Sequence, residues 1–245
     1  MTGGGPVGII TGTGLYELEG LEGRTERRVT TTHGAADVVL GRLDGVEVAH
    51  VARHGRGHAR LSHHVTAPAN VAALAALEVR CLVSTTVCGA VDPSLELGQL
   101  IVFDDLHFPS NRLPDGSLCT LFTTPDAPGR GHWVYERAIG PGPRESLVEG
   151  ARIAGVPVRD GGVYGHVDGP RFNTRSEIAQ LAALGVGAVS QTAGPEVVLA
   201  GEARLPFALV GFITDHANGV TEIPTPPATL ERLFTASASV IQAAL

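Results

Sequence analysis

The chain has 245 residues and a net charge of −7, and aromatic residues make up 4% of it. The negative charge argues against a nucleic-acid-binding surface, and the low aromatic content argues against base stacking along a single strand. All 18 basic residues are arginine, which excludes the lysine of a nucleotide-binding P-loop and also Schiff-base chemistry. The length fits one large α/β domain or two small ones, and we predict one.

Three cysteines, Cys81, Cys88 and Cys119, form no CxxC pair, and no apolar run is long enough to cross a bilayer. Nothing resembles a signal peptide, so we expect a cytoplasmic protein without a membrane partner. The adjacent His63 and His64 do not face one site on a helix or strand, and no carboxylate or cysteine lies nearby at ligand spacing. We therefore predict no metal site.

The first predicted strand begins at Val7 and runs into the loop Gly12-Thr13-Gly14. Glycines let the backbone turn tightly, and the amides and hydroxyls of such a turn suit an anion. A dinucleotide fingerprint needs a third glycine where Glu17 stands, so a nicotinamide oxidoreductase is a remote alternative. A plain turn without a ligand is the other interpretation of these residues taken alone.

A hairpin is predicted next, after a polar and exposed stretch at residues 16–28. Residues 36–40 and 46–52 flank an Asp-Gly turn signal, and the second run leads directly into Arg53 and His54. Arginine can hold a phosphate or carboxylate with two hydrogen bonds, and histidine adds a donor or titrates near neutral pH. A solvated basic loop is the alternative interpretation.

The rest of the chain alternates between apolar strands and helical patterns. Residues 109–143, rich in Pro, Gly and Asp, predict a long surface excursion, and its aromatic residues indicate a subunit contact or a lid. Cys88 is more simply a buried small residue than a nucleophile. We predict a helix at 67–77, strands at 81–90 and 99–103, a helix at 145–154, a strand or hairpin at 157–166, a capped helix from 174 to 184, a strand at 187–190, a helix at 195–202, an apolar run at 205–214 and a closing helix at 226–245.

Polar groups stand at the ends of several of these apolar runs. The groups are Thr13, Arg53 with His54, Thr86, Thr192 and Asp215. In open α/β sheets the ligand lies beyond the carboxyl ends of the strands, so these groups can converge on one cavity. Three threonines, an arginine and a histidine suit a dianion, whereas the carboxylate would act on another part of the ligand.

Several stretches resemble, in the same order, the trimeric purine nucleoside phosphorylases, and among these most closely the methylthioadenosine phosphorylase branch. The stretches are Gly12-Thr13-Gly14, Arg53-His54-Gly55, Thr85-Thr86-Val87-Cys88-Gly89, Asp168-Gly169-Pro170-Arg171-Phe172, Thr192 with Pro195-Glu196-Val197-Val198-Leu199-Ala200, and Thr214-Asp215. The resemblance covers nearly the whole chain. It implies a single α/β domain with a mixed, partly barrel-like central sheet flanked by helices, and a homotrimer with its sites near the subunit contacts.

The resemblance also implies roles for individual residues. Phosphate is held by Thr13, Arg53, His54, Thr86, the amide of Val87 and Thr192. The nucleoside is contacted by Phe172, which stacks on the purine, Asn173 near its edge, Gln191 by the ribose, Asp215 facing N7 and the 6-substituent, and His132 from a neighbouring subunit on the 5′ side. Phosphate is a co-substrate here, and no cofactor is implied.

The implied reaction is phosphorolysis of a purine nucleoside to free purine and a ribose 1-phosphate. Phosphate attacks C1′, its charge stabilises the oxocarbenium character of the sugar, and Asp215 donates a proton or hydrogen bond to N7. Arg53 and His54 act on the phosphate. Donation requires the neutral acid, so we predict that burial raises the pKa of Asp215.

Two departures from the family pattern affect the expected substrate. Ala217 stands where adenosine-type members have a second aspartate, and Gln191 stands where the methylthio branch has methionine. Members that prefer 6-oxopurines carry asparagine in place of Asp215, so we favour a 6-aminopurine, and a 6-oxopurine nucleoside is the alternative. A nucleoside hydrolase is a further alternative, although it would not require Arg53 and three threonines around a dianion. A non-catalytic or biosynthetic relative that acts on an unusual nucleoside would explain the departures.

Overall fold

The computed structural model describes residues 4–131 and 138–245, which form eleven strands and five α-helices around one mixed sheet. The strands are β1 Val7–Thr11, β2 Glu22–Thr31, β3 Gly34–Leu43, β4 Val46–Ala52, β5 Cys81–Ala90, β6 Leu100–Val102, β7 Asp105–His107, β8 Val158–Asp160, β9 Val163–His166, β10 Val186–Ser190 and β11 Phe207–His216. The helices are α1 Ala67–Ala76, α2 Pro143–Ile153, α3 Arg175–Ala183, α4 Gly194–Glu202 and α5 Pro227–Ala244.

Strand β5 is the branch point of the sheet. Its first four residues pair in parallel with β1, and its last two pair antiparallel with β10. On its other edge β11 runs parallel to it from Leu82 to Ala90. Among the strands of the described chain, residues 85–88 of β5 are therefore paired on one edge only. The sheet opens at this point, and the opening is where the polar ends of β1 and β10 can meet β5.

Helices cover both faces of the sheet. On one face α1 and α4 contact each other over a core that includes Val71 and Leu82, and on the other α2 and α5 contact each other over a core that includes Val83. Leu82 and Val83 are neighbours on β5 that point to opposite faces, as the two-residue period of a strand requires. Helix α3 packs at one end against β10. The predicted single α/β domain with a mixed central sheet is confirmed.

Three parts of the chain differ from the sequence prediction. Strand β7, at Asp105–His107, was not predicted, because a three-residue strand is too short to show an apolar period. The polar stretch at residues 16–28, predicted only as exposed, includes the first seven residues of strand β2, which pairs antiparallel with β3 although these seven positions are all exposed. It has no apolar alternation because it lies at the edge of the sheet, where the Arg28–Asp37 ion pair links it to β3. The segment 157–166 is two strands that do not pair with each other: β8 pairs with β6, and β9 with β7 and β10.

Three histidines within residues 4–131 and 138–245 are buried: His50, His54 and His166. Burial lowers the pKa of each to about 4, and Arg53 assists at His54. In the unfolded chain these side chains return to a pKa of about 6.5. Below that pH the unfolded state binds protons that the folded state does not, so acid destabilises the fold.

We expect the free energy of unfolding to fall as the pH drops from about 6.5 towards 4, by up to about 1.4 kcal/mol per pH unit for each of these histidines. Urea unfolding at a series of pH values measures this slope. His166→Phe removes one titrating group and should make the slope shallower, whereas His63→Asn, at an exposed position, should leave it unchanged. Equal slopes for His166→Phe and the wild type would contradict the prediction.

Candidate active site

A cavity of about 310 Å³ lies at the carboxyl ends of β1, β4, β5, β10 and β11, beside the opening in the sheet. Nine of the residues predicted from the sequence line it: Thr13, His54, Thr86, Val87, Phe172, Asn173, Gln191, Thr192 and Asp215. Arg53 is not part of its wall, and His132 lies outside the described residues. The convergence of the strand ends brings groups from most of the chain to one place.

Arg53 is fully buried behind the cavity in an ion pair with Glu196 of α4. Its Nε donates to one carboxylate oxygen of Glu196 at 2.6 Å and its Nη2 to the other at 2.8 Å. Nη1 donates to the carbonyl of Thr85 at 2.9 Å, and Nη2 also donates to the hydroxyl of Ser84 at 2.7 Å. Burial alone would lower the pKa of Arg53, but the Glu196 carboxylate reverses the effect and raises it.

This position differs from the expectation that Arg53 binds the phosphate directly with two hydrogen bonds. Glu196 occupies the two guanidinium nitrogens that would form a bidentate contact, and its carboxylate neutralises the charge of Arg53. The pair ties the end of β4 and the middle of β5, at Thr85, to the first turn of α4. A side chain at Gly12 would collide with Nη1 of Arg53, which explains the glycine where β1 ends.

The half of the cavity in which we expect an anion, called here the anion half, is lined by neutral hydrogen-bonding groups. Thr13 and Thr192 contribute hydroxyls from the loops that follow β1 and β10, and Thr86 contributes one from the middle of β5. The opening in the sheet leaves one edge of β5 at Val87 without a partner strand in the described chain. The described lining residues include no arginine. An anion here is therefore met by hydroxyls and backbone amides, which bind oxyanions without a free cation.

His54 contributes a hydrogen-bond acceptor to this half. Its Nδ1 lies 2.9 Å from the carbonyl of Arg60, and because a carbonyl only accepts, Nδ1 carries the proton. Burial, assisted by Arg53, lowers the pKa of His54 to about 4, so the ring is neutral and Nε2 has a free lone pair near pH 7. The ring of His58 stacks on it at 4.3 Å, and Tyr16 Oη lies 2.9 Å from His58 Nδ1.

The other half of the cavity is shaped for a flat apolar group. Phe172 stands at the mouth with 68% of its surface exposed, and Ile178 and Val189 lie among the lining residues. The carbonyl of Asn173 accepts a hydrogen bond from Asn218 at 2.7 Å. The predicted capping box, in which Thr174 and Glu177 bond each other's backbone amides, starts α3 directly after this turn.

Asp215 stands at the end of β11 on the wall of this apolar half. Burial raises the pKa of its carboxyl, against a hydrogen bond from Thr214 and the nearby His216. The Thr214 hydroxyl donates to Oδ1 at 2.7 Å, and Oδ2 lies against Gly89, where a side chain would crowd it. Ala217, also in the wall, adds no polar side-chain atom beside it.

Gln191 also lines the cavity, but its amide is engaged with the protein. Nε2 donates to the carbonyl of Arg171 at 3.1 Å, and Oε1 accepts from the hydroxyl of Ser62 at 3.2 Å. It therefore links the turn before Phe172 to the loop after β4. One amide hydrogen and one oxygen lone pair remain for a ligand.

Sequence reasoning assigned no role to several residues that the structure brings to the site. They are Glu196, which partners Arg53, and the lining residues His58, Leu61, Ser62, Ser190, Asn218 and Phe234. One feature could have indicated Glu196: a fully buried arginine needs a carboxylate partner, and α4 has a carboxylate in its first turn. Cys88 lies in the wall with its thiol pKa raised by burial, which does not favour a nucleophile.

Metal-ligating side chains are not clustered in the described chain. No group of three or more His, Cys, Asp or Glu side chains in residues 4–131 and 138–245 could hold a metal ion. In the same part of the chain, every helix is too short or too polar to cross a membrane.

The cavity at the strand ends combines hydroxyl and imidazole groups with apolar side chains, an arrangement expected of an enzyme of the nucleoside phosphorylase class. The profile of the phosphorylase superfamily matches residues 6–245, and the chain belongs to this family. Members use phosphate as a co-substrate. The predicted resemblance is thus confirmed, and the activity class is that of a pentosyltransferase acting on purine nucleosides.

Relatives fall into two groups by their names. A probable 6-oxopurine nucleoside phosphorylase of Korarchaeum cryptofilum is 37% identical over 221 residues, which is 88% of this chain and 81% of the relative. An S-methyl-5′-thioadenosine phosphorylase of Cereibacter sphaeroides is 34% identical over 86% of this chain and 71% of its own. The structure of methylthioadenosine phosphorylase from Schistosoma mansoni in complex with adenine aligns with a TM-score of 0.87 at 26% identity, covering 98% of this chain and 89% of that one.

Proposed function

We propose that the preferred substrate is a 6-aminopurine nucleoside of the methylthioadenosine type, cleaved by phosphate to free purine and a ribose 1-phosphate. The observation that carries the proposal is Asp215, a half-buried carboxyl with a raised pKa in the base half of the cavity. A neutral carboxyl donates to N7 of the purine, and its carbonyl oxygen accepts from a 6-amino group. The Cereibacter and Schistosoma relatives, named for methylthioadenosine, support this substrate class.

Phosphate binds in this proposal to Thr13, His54, Thr86, the Val87 amide and Thr192. Near neutral pH, phosphate carries at least one P–OH group, and this suits the free Nε2 of His54 as an acceptor. The remaining phosphate oxygens accept hydrogen bonds from the threonines. Arg53 acts from behind the cavity by holding the end of β4 and the middle of β5 in place.

The proposed chemistry breaks the bond between C1′ and N9 of the purine and forms a bond from C1′ to a phosphate oxygen. The phosphate charge stabilises the developing oxocarbenium ion. The electron pair of the broken bond goes to the purine, and Asp215 supplies a proton at N7 so that the base leaves neutral. Phe172 stacks on the purine, Asn173 contacts its edge and Gln191 contacts the ribose. No cofactor enters the reaction.

The assembly proposed is a homotrimer in which His132 closes the 5′ side of a neighbouring site. The exposed ring of Phe172 at the mouth supports a cover from another subunit, because a stacking aromatic that is 68% exposed leaves one side of the base subsite open. We also propose the cytoplasm as the location, which is supported by Cys81, Cys88 and Cys119 being free thiols.

A 6-oxopurine nucleoside is the second candidate substrate. Ala217 favours it, because this residue offers no acceptor for a second hydrogen of a 6-amino group. The Korarchaeum relative, named as a probable 6-oxopurine enzyme, supports the same alternative. The neutral form of Asp215 could serve this base too, since a carboxyl that donates to O6 still accepts from a protonated N7.

Release of free purine from adenosine, methylthioadenosine, inosine and methylthioinosine, each with and without phosphate, tests the proposal. We expect release only with phosphate, and higher kcat/KM for the two 6-amino substrates. A preference for inosine or methylthioinosine would establish the second candidate. Release without phosphate would indicate a hydrolase, and no release from any of the four would indicate a specialised relative with another substrate.

A further inference from the structure

Behind the anion half of the cavity lies a chain of hydroxyl groups that begins in the core. Tyr164 of β9 is fully buried, and its Oη lies 2.6 Å from Ser190 Oγ. Ser190 Oγ lies in turn 2.8 Å from Thr86 Oγ1, and both Ser190 and Thr86 line the cavity. At the buried end, the backbone amide of Ala193 donates to Tyr164 Oη at 3.2 Å.

The direction of these hydrogen bonds follows from their buried end. The Ala193 amide can only donate, so Tyr164 Oη accepts there and must place its own proton elsewhere. Burial raises the pKa of Tyr164, which keeps that proton on the oxygen. Ser190 is its hydrogen-bond partner on the other side, and an unplaced buried hydroxyl proton is costly. Tyr164 therefore donates to Ser190.

The same donor-to-acceptor direction continues from Ser190 to Thr86 in the cavity wall. Ser190, having accepted from Tyr164, donates to Thr86, and the proton of Thr86 is left to point away from Ser190. Its acceptor in the structure is the carbonyl of Val87 at a long 3.2 Å. A phosphate oxygen is a stronger acceptor than a carbonyl, and taking this proton costs the protein only a weak bond.

We infer that Tyr164 is a positioning residue for phosphate: through Ser190 it fixes Thr86 as a hydrogen-bond donor to the oxyanion. The inference rests on the proposed function and adds to it a residue outside the cavity wall. Its mechanism is preorganisation, because Thr86 need not lose an alternative hydroxyl orientation when the phosphate binds.

Tyr164→Phe removes the hydroxyl and keeps the ring that packs on Phe103 with centroids 5.2 Å apart. We expect the phosphate KM, and the phosphate Kd from isothermal titration, to rise about three- to tenfold, the effect of one ordered hydrogen bond. The nucleoside KM should change less than about twofold. Phe103→Leu loosens the same core contact without touching the hydroxyls, and it should leave the ratio of the two KM values unchanged.

A double-mutant cycle with Ser190→Ala tests whether Tyr164 acts through Ser190. The double variant should bind phosphate no more weakly than Ser190→Ala alone, because both substitutions interrupt the same chain of hydrogen bonds. The inference would be overturned if the effects of the two substitutions on phosphate binding multiply in the double variant. It would also be overturned if Tyr164→Phe raises the phosphate KM and the nucleoside KM equally. If Tyr164→Phe does not fold, the phosphate KM of Ser190→Ala alone tests the chain of hydroxyl groups. Phosphate-independent cleavage by the wild type would instead defeat the proposed function, so the two failures are distinguishable.

Discussion

Asp215→Asn is expected to lower kcat/KM for adenosine and methylthioadenosine by about 100- to 1000-fold, the usual contribution of a positioned general acid. Asparagine keeps the size and the hydrogen bond with Thr214, but it has no acidic proton to give to N7. It offers instead an amide N–H to O6 and a carbonyl to a protonated N7. The loss on inosine should therefore be much smaller, and the base preference should move towards 6-oxopurines.

The pH dependence of kcat/KM distinguishes a general acid from a residue that only contacts the purine. Only the neutral carboxyl of Asp215 donates, and burial raises its pKa, so wild-type kcat/KM should fall as the pH rises through that pKa. Asparagine does not titrate, so this limb should be absent in the variant. Asp44→Asn, at a turn with positive φ that asparagine accepts, is the matched control. Full activity of Asp215→Asn on adenosine would remove Asp215 from the mechanism.

Glu196→Gln is expected to lower the free energy of unfolding by about 3–5 kcal/mol, because it leaves the buried Arg53 cation without its counter-charge. The amide nitrogen of glutamine would also face a guanidinium N–H or the Ser84 hydroxyl, both of which now donate to Glu196. Urea unfolding at neutral pH measures the change. Activity should fall as well, since Arg53 holds β5 at Thr85, which precedes Thr86 of the cavity wall.

The matched comparison is Asp37→Asn, which breaks the exposed ion pair with Arg28 on the edge strand. A solvent-exposed pair contributes little, so no measurable loss of stability is expected there. The double variant Arg53→Met with Glu196→Leu removes both charges and should recover part of the loss seen with Glu196→Gln alone. A Glu196→Gln protein as stable as the wild type would show that the pair does not anchor the site.

Local sequence patterns were sufficient for most of the elements and for several of the residues that line the cavity. The alternation of apolar runs with turn residues predicted most of the strands and all five described α-helices, because those signals are read within one element. The polar residues near the ends of the runs predicted side chains that meet in one cavity, because strands of one sheet bring their ends to a common edge. Strand β2 was missed because an exposed edge strand has no apolar period.

Partners distant in the chain were decided only by the tertiary structure. Arg53 and Glu196 are separated by 143 positions, and their pairing turns an expected phosphate ligand into a buried anchor. Tyr164 and Thr86 meet at Ser190 only because β5 ends its pairing with β1 before it begins to pair with β10. Residue types and spacing determine which groups are available, but which donor meets which acceptor depends on how the sheet branches and where each side chain is buried.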